Sequence, residues 1–153
     1  MPRSTNRAFT VVGLILALAM GALEATVVST AMPTVIGDLG GIRYYAWIAG
    51  AYLLASSVTV PIYGKLADIY GRKPILLFGI AMFLFGSAAS GAAQSMGQLI
   101  VFRAIQGLGA GSMQPMAITI VGDIFALEER AKMQGIFGAA WGIFGLIGPM
   151  LGG

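Results

Sequence analysis

The sequence predicts an all-α membrane protein built from five helical crossings, and three observations carry that prediction. Of its 153 residues only 10% are charged while 58% are hydrophobic; an average soluble domain carries roughly 25% charged residues, and a water-soluble surface cannot be covered with so few. The apolar residues gather into five stretches, each able to reach the roughly 20 residues that a helix needs to span hydrocarbon. Glycine occurs 23 times, about twice ordinary usage, which suits helices whose backbones approach closely in lipid.

Residues 1–7 form a polar N-terminal segment holding Arg3 and Arg7. The first apolar stretch runs over about 8–36 and is interrupted only by Glu24. Ala17-Leu18-Ala19 resembles a signal-peptide cleavage site. The apolar run continues well beyond it and four more stretches follow, so the segment reads as a retained span. The second stretch covers about 46–63, the third 74–93, and the fourth 98–121 with Arg103 inside it. A fifth begins near 133 and is still apolar at Gly152-Gly153. A chain stopping in mid-span is expected to be a piece of a longer helical bundle.

Basic residues set the orientation. Arg3 and Arg7, then Lys65, Arg72 and Lys73, then Arg130 and Lys132 fall on alternate links, whereas the opposite side holds Arg43 alone. The positive-inside rule therefore places the N-terminus in the cytoplasm. The net charge of +3 is a topology signal rather than a nucleic-acid patch. Tyr44, Tyr45 and Trp47 fall where an outer aromatic belt is expected. Thr34-Val35-Ile36-Gly37-Asp38 is echoed by Thr119-Ile120-Val121-Gly122-Asp123. Three crossings separate the two, so they run in opposite directions, as inverted repeats in secondary transporters do.

Several chemistries are excluded by composition. With no cysteine and no histidine, thiol nucleophiles, thiolate metal sites and imidazole relays are absent, and proton chemistry falls to carboxylates. The Gly64-Lys65 pair lacks both the upstream glycine and the following Ser or Thr of a phosphate-binding loop. No acid cluster suggests a metal site. No cofactor, metal or enzymatic activity is expected, and transport driven by a gradient is favoured over transport driven by ATP.

Glu24 is the most informative single residue. A charge in the bilayer costs several kcal/mol, so an intramembrane acid is a functional candidate. At about 1.5 Å per residue from Ala8 it lies roughly 24 Å from the inner boundary, in the outer half. Desolvation disfavours the charged carboxylate there, which equips it to take up and release a proton or to attract a cationic substrate. A carboxyl hydrogen-bonded between helices, or one reaching the outer interface, is the bland alternative. Arg103 sits roughly 8 Å below the outer surface on a descending span. It either snorkels to the headgroups or shares a polar cavity with Glu24, in which case protonation of the acid loosens their electrostatic coupling.

The segment Gly64-Lys65-Leu66-Ala67-Asp68-Ile69-Tyr70-Gly71-Arg72-Lys73-Pro74 reads as a positive-inside link. Gly71 is the residue permissive of φ > 0, Asp68 and Arg72 are spaced for an ionic contact, and Pro74 suits a first helical turn. Beyond that reading, the string resembles the cytoplasmic loop G-x-L-a-D-r-x-G-r-k of the major facilitator superfamily, with Ile69 where Arg is common. The resemblance implies a conformational latch carried by Gly64, Asp68, Gly71, Arg72 and Lys73.

Three further segments are similar to motifs of that superfamily. Arg103-Ala104-Ile105-Gln106-Gly107-Leu108-Gly109-Ala110-Gly111 resembles the span-4 motif whose Arg is tied to proton coupling. Gly148-Pro149-Met150-Leu151-Gly152-Gly153 resembles the span-5 antiporter motif, with Phe144 upstream where Gly is common. Leu23-Glu24-Ala25-Thr26-Val27-Val28-Ser29-Thr30-Ala31-Met32-Pro33 resembles the span-1 signature D-x-T-x-V-x-x-A-x-P of the fourteen-helix multidrug proton-antiporter branch, with Glu for Asp.

The resemblance implies the incomplete N-terminal half-bundle of an exporter that exchanges protons for drugs or other amphipathic molecules at the cell membrane. Its partners would be a small-molecule substrate, protons, lipid and the remaining helices, not nucleic acid. A metabolite facilitator or symporter, and a membrane sensor or scaffold without a transport cycle, stand as alternatives.

Overall fold

The computed structural model describes residues 6–152. Backbone hydrogen bonding gathers them into five α-helices: α1 (Arg7–Leu39), α2 (Tyr45–Tyr70), α3 (Arg72–Gly91), α4 (Met96–Ile124) and α5 (Leu127–Gly152), with a 3-10 turn at Ile42–Tyr44 ahead of α2. No strand occurs among the described residues. The hydrocarbon solvent explains this: every N–H and C=O must be satisfied inside its own segment, and a helix does so by itself. Large apolar side chains such as Leu54, Phe85 and Leu146 lie open on the outside, as lipid-facing residues do and as a soluble surface does not.

Segments Arg7–Leu39, Ile42–Tyr70, Arg72–Gly91 and Leu127–Met150 are each long and apolar enough to cross a membrane. Helix α4 is as long as these but falls short in apolar content, and the reason is positional. Its polar and small residues Arg103, Gln106, Gly107, Gly109, Gly111 and Ser112 are all buried. Much of the hydropathy deficit of α4 thus lies on a face that meets protein rather than lipid, with Gln114 as an exposed exception.

The helices overrun the hydrophobic spans. The expected link over 64–73 is helical except for Gly71, because α2 continues to Tyr70 and α3 begins at Arg72. Arg130, expected in a link between spans, instead lies with Glu128 and Glu129 in the first turn of α5. Hydropathy marks where lipid begins, whereas helical hydrogen bonding continues into water until a cap stops it.

Those caps are legible. The Gly40 N–H bonds to the Ile36 carbonyl at 2.9 Å, and Gly40 and Gly41 both take positive φ, so the chain leaves α1 through a left-handed turn. Gln98 N–H donates to Ser95 Oγ at 3.3 Å, while Gln98 Oε1 accepts from Gln94 N–H at 2.9 Å. This Ser-x-x-Gln cap starts α4. At α5 the Glu129 carboxylate accepts the Ala126 N–H at 3.2 Å, and two acids in the first turn suit the helix dipole.

The chain folds as two compact units, one from the described parts of Met1–Ala31 and Ala117–Gly153, the other from Met32–Met116. In the first, Leu14, Ala17 and Ala22 of α1, Val121 at the end of α4 and Phe137 of α5 are buried.

In the second, glycines set the helix spacing. A Cβ added at Gly86 of α3 would lie 2.6 Å from the Gln106 Cα of α4. One at Gly79 would fall inside the Ser112 side chain, 2.9 Å from the Gly109 carbonyl oxygen. On the other flank of α4, a Cβ at Gly111 would come 2.6 Å from the Ser56 carbonyl oxygen of α2. Tyr63 of α2 meets Phe78 of α3 edge-on, with ring centroids 6.4 Å apart.

Candidate functional site

Glu24 lies seventeen residues into α1 and is partly buried. Hydroxyls crowd the helix just beyond it. Thr26 Oγ1 lies 3.1 Å from both the Ala22 and Leu23 carbonyl oxygens, and Ser29 Oγ and Thr30 Oγ1 donate to the Thr26 carbonyl at 2.8 and 3.2 Å. These bonds to the preceding turn satisfy the hydroxyls without a partner helix. Pro33 then removes the N–H that would bond the Ser29 carbonyl.

Helix α5 approaches α1 at this level. Gly148 is buried, and a Cβ there would overlap Thr26 Oγ1 and lie 2.7 Å from Thr26 Cβ. Gly145, one turn earlier, faces the Thr26 methyl group, 4.0 Å from where its own Cβ would be. Pro149 is exposed on the neighbouring face, Gly152 ends α5, and Gly153 lies outside the described residues.

Arg103, seven residues into α4, is only 5% exposed. Its Nη1 donates to Gln106 Oε1 at 2.7 Å, and its guanidinium carbon stands 4.5 Å from the centroid of the Tyr52 ring of α2. The guanidinium therefore turns into protein, and the snorkelling alternative is set aside. The close packing makes room for this. Gly107 lies against the Tyr52 carbonyl and Ala55 of α2, and Gly86 of α3 takes the Gln106 backbone. Gln106 itself is fully buried. A planar cation stacked on a ring and hydrogen-bonded to an amide is held in orientation by two neutral groups.

The sequence alone marks Arg103 but not Tyr52 and Gly86, which support it and its partner Gln106, nor Gly79, which seats Ser112 further along α4. A signal was present: Gly79 and Gly86 are seven residues apart and Gly107 and Gly111 four apart, and either spacing keeps a notch on one helix face. Nothing in the sequence pairs one notch with another.

In the expected latch segment, Gly64 is partly buried within α2, Asp68 and Lys73 are exposed, and Arg72 is partly buried. Gly71 alone lies between helices, at φ 90° and ψ 157°, with its N–H bonded to the Ala67 carbonyl at 2.9 Å. That backbone region is open essentially to glycine only. Because the helix breaks there, Asp68 and Arg72 belong to different helices, and their spacing does not stack them on one face as in a continuous helix.

A second basic feature was unforeseen. Arg130 of α5 reaches back to the end of α4, donating from Nε to the Phe125 carbonyl at 3.2 Å and from Nη2 to the Gly122 carbonyl. The Arg7 guanidinium lies over the Phe125 ring at 5.7 Å. A cation thus sits on the negative end of the α4 dipole. Among the described residues no group of acids could hold a metal ion.

Comparison with known proteins adds three findings. A profile of the Major Facilitator Superfamily matches residues 14–153. Over 150 residues the chain is 48% identical to "Multidrug resistance protein 3" of Bacillus subtilis (strain 168), an alignment covering 98% of this chain and 29% of that protein. It is 46% identical over 151 residues to "Multidrug transporter protein MdtP" of the same organism, covering 99% of this chain and 28% of the relative. It is also 41% identical over 146 residues to "Efflux pump dotC" of Dothistroma septosporum, covering 95% and 25%. The chain therefore spans between a quarter and three-tenths of the length of these relatives.

Proposed function

Because the chain belongs to the Major Facilitator Superfamily, whose members are membrane carriers rather than enzymes, we propose that it serves a proton-coupled exporter of drugs or other amphipathic small molecules. The observation that carries this reading is alignment of nearly all of this chain with relatives named for multidrug resistance and efflux, on a chain with an acid, Glu24, well inside its first apolar helix. It is a multi-pass membrane protein. In this reading all five helices cross the cell membrane, α4 included, since its polar face is turned to protein, and the N-terminus is cytoplasmic.

Glu24 is the coupling acid. In this reading proton binding to Glu24 from one side and release to the other is tied to which side the cavity opens. Arg103, stacked on Tyr52 and bonded to Gln106, lends positive charge to the polar path in this reading. Gly64, Asp68, Gly71, Arg72 and Lys73 latch the cytoplasmic side, and Gly148, Pro149 and Gly152 of α5 provide the antiporter-type close packing. Five helices supply one part of a pathway that the remaining helices complete.

The test uses the complete protein in proteoliposomes with an imposed proton gradient and a fluorescent amphipathic cation. Gradient-driven export should be lost in Glu24→Gln and largely kept in Glu24→Asp. Export and pH response left untouched by Glu24→Gln would overturn the reading, as would substrate binding without flux in the unmodified protein.

A further inference from the structure

The contact between Thr26 and Gly148 has a consequence for Glu24. Thr26 is held on α1 by the two carbonyls of its preceding turn, Ala22 and Leu23. Its side chain occupies the space that a Cβ at position 148 of α5 would need, and the Leu23 carbonyl oxygen is 3.5 Å from that same point. Gly145 extends the notch by one turn. A threonine seated in a two-glycine notch resists sliding of α1 along α5, and it also resists rotation of α1 about its own axis. The neighbouring glycines show that this is a specific seat: a Cβ at Gly138 or Gly142 would meet nothing within 4 Å.

Residues two apart on a helix are separated by about 200° around its axis. With Thr26 facing α5, Glu24 is directed to the far side of α1. We propose that Thr26 is a positioning residue, and that its seat against Gly148 sets the rotation of α1 and so the direction in which the Glu24 carboxylate faces. The two segments that resemble separate motifs, the one from Glu24 to Pro33 on α1 and the one that begins at Gly148 on α5, then act as one device: α5 provides the socket that aims the acid. The proposal rests on Glu24 being the coupling acid for its significance, but the geometry can be tested apart from it.

These 153 residues contain no cysteine, so once any cysteine of the remaining helices is replaced by serine, a single Glu24→Cys reporter can be read in the complete protein. The measurement is its labelling rate by a membrane-impermeant maleimide, per folded molecule. Gly148→Ala should change that rate at least about fivefold, because overpacking must rotate or displace α1. Adding Thr26→Gly should return it to within about twofold of the parent, the pairwise compensation expected of residues in contact. Gly142→Ala is the open-space control and should leave the rate alone.

An unchanged rate in Gly148→Ala, or no recovery in the double variant, would overturn the proposal. Should Gly148→Ala fail to fold, recovery of folded, normally labelled protein in the double variant supports the seat and equal failure of both overturns it. With Glu24 restored, the pH midpoint of transport should move in Gly148→Ala and return in the double variant. A labelling result as stated, alongside full transport by Glu24→Gln, would keep the positioning and remove only the coupling role.

Discussion

The Arg103 guanidinium stacks on the Tyr52 ring, its carbon 4.5 Å from the centroid, and nearly all of the arginine is out of contact with solvent. A desolvated cation over an aromatic face gains about 2 kcal/mol, and no aliphatic side chain replaces that. Tyr52→Leu should therefore lower the thermal stability of the purified protein by about 1–2 kcal/mol and depress transport. Tyr52→Phe, which keeps the ring, should retain more of both. Equal losses in the two variants would show that the stacked ring is not what holds Arg103.

Arg103→Lys tests shape rather than charge. An ammonium keeps the positive charge but cannot lie flat on Tyr52 while donating to Gln106. Transport should fall by about tenfold or more, corresponding to loss of a hydrogen bond to a charged group worth about 1.5–3 kcal/mol. Wild-type flux in this variant would mean that charge alone suffices at this site.

Glycine positions separate by what surrounds them. At Gly86 an added methyl group would press on the Gln106 backbone, which cannot yield as a side-chain tip does, whereas at Gly97 it would enter open space. Gly86→Ala should destabilise by about 1–3 kcal/mol, and Gly97→Ala should stay within about 0.5 kcal/mol of the parent. Denaturation in detergent measures both.

Gly71→Ala addresses the one-residue link. At φ 90° and ψ 157° a Cβ is strained whatever the space, at a cost of about 1–3 kcal/mol. The strain must be relieved by re-angling α2 against α3, so the variant should lose stability and slow the transport cycle together. Unchanged melting and unchanged flux would contradict the observed link conformation.

Arg130→Ala should cost about 1 kcal/mol by uncapping the α4 terminus. Arg130→Lys should recover part of that, since one ammonium can reach only one of the two carbonyls. Hydrogen exchange at the amides of the last α4 turn and the first α5 turn is the direct measurement, and faster exchange in the alanine variant is the expected result.

Different parts of the molecule were legible to different degrees. The five helices could be read because hydropathy and glycine content act residue by residue, and each apolar stretch reports its own solvent. Helix ends were read less well: α2 overran its expected limit by seven residues to Tyr70, and α5 began six residues early at Leu127. Their ends depend on caps such as Ser95 with Gln98, and Ala126 with Glu129, more than on hydropathy. Arg103 and Glu24 stood out because charge is conspicuous in an apolar helix. Tyr52 did not, because one tyrosine among five looks like any other until its neighbour across the helix interface is known.

What the sequence determined by itself is the solvent, the secondary structure and the identity of the unusual charges, since each follows from the chemistry of a short stretch. Which residues meet was decided only by tertiary structure: Thr26 with Gly148, Gln106 with Gly86, Tyr52 with Arg103. Those pairs lie far apart along the chain, and a helix can slide or turn against its neighbour with little change in local energy. The register is settled by interlocking shape, where a side chain of one helix fills the notch that a missing Cβ leaves in the other.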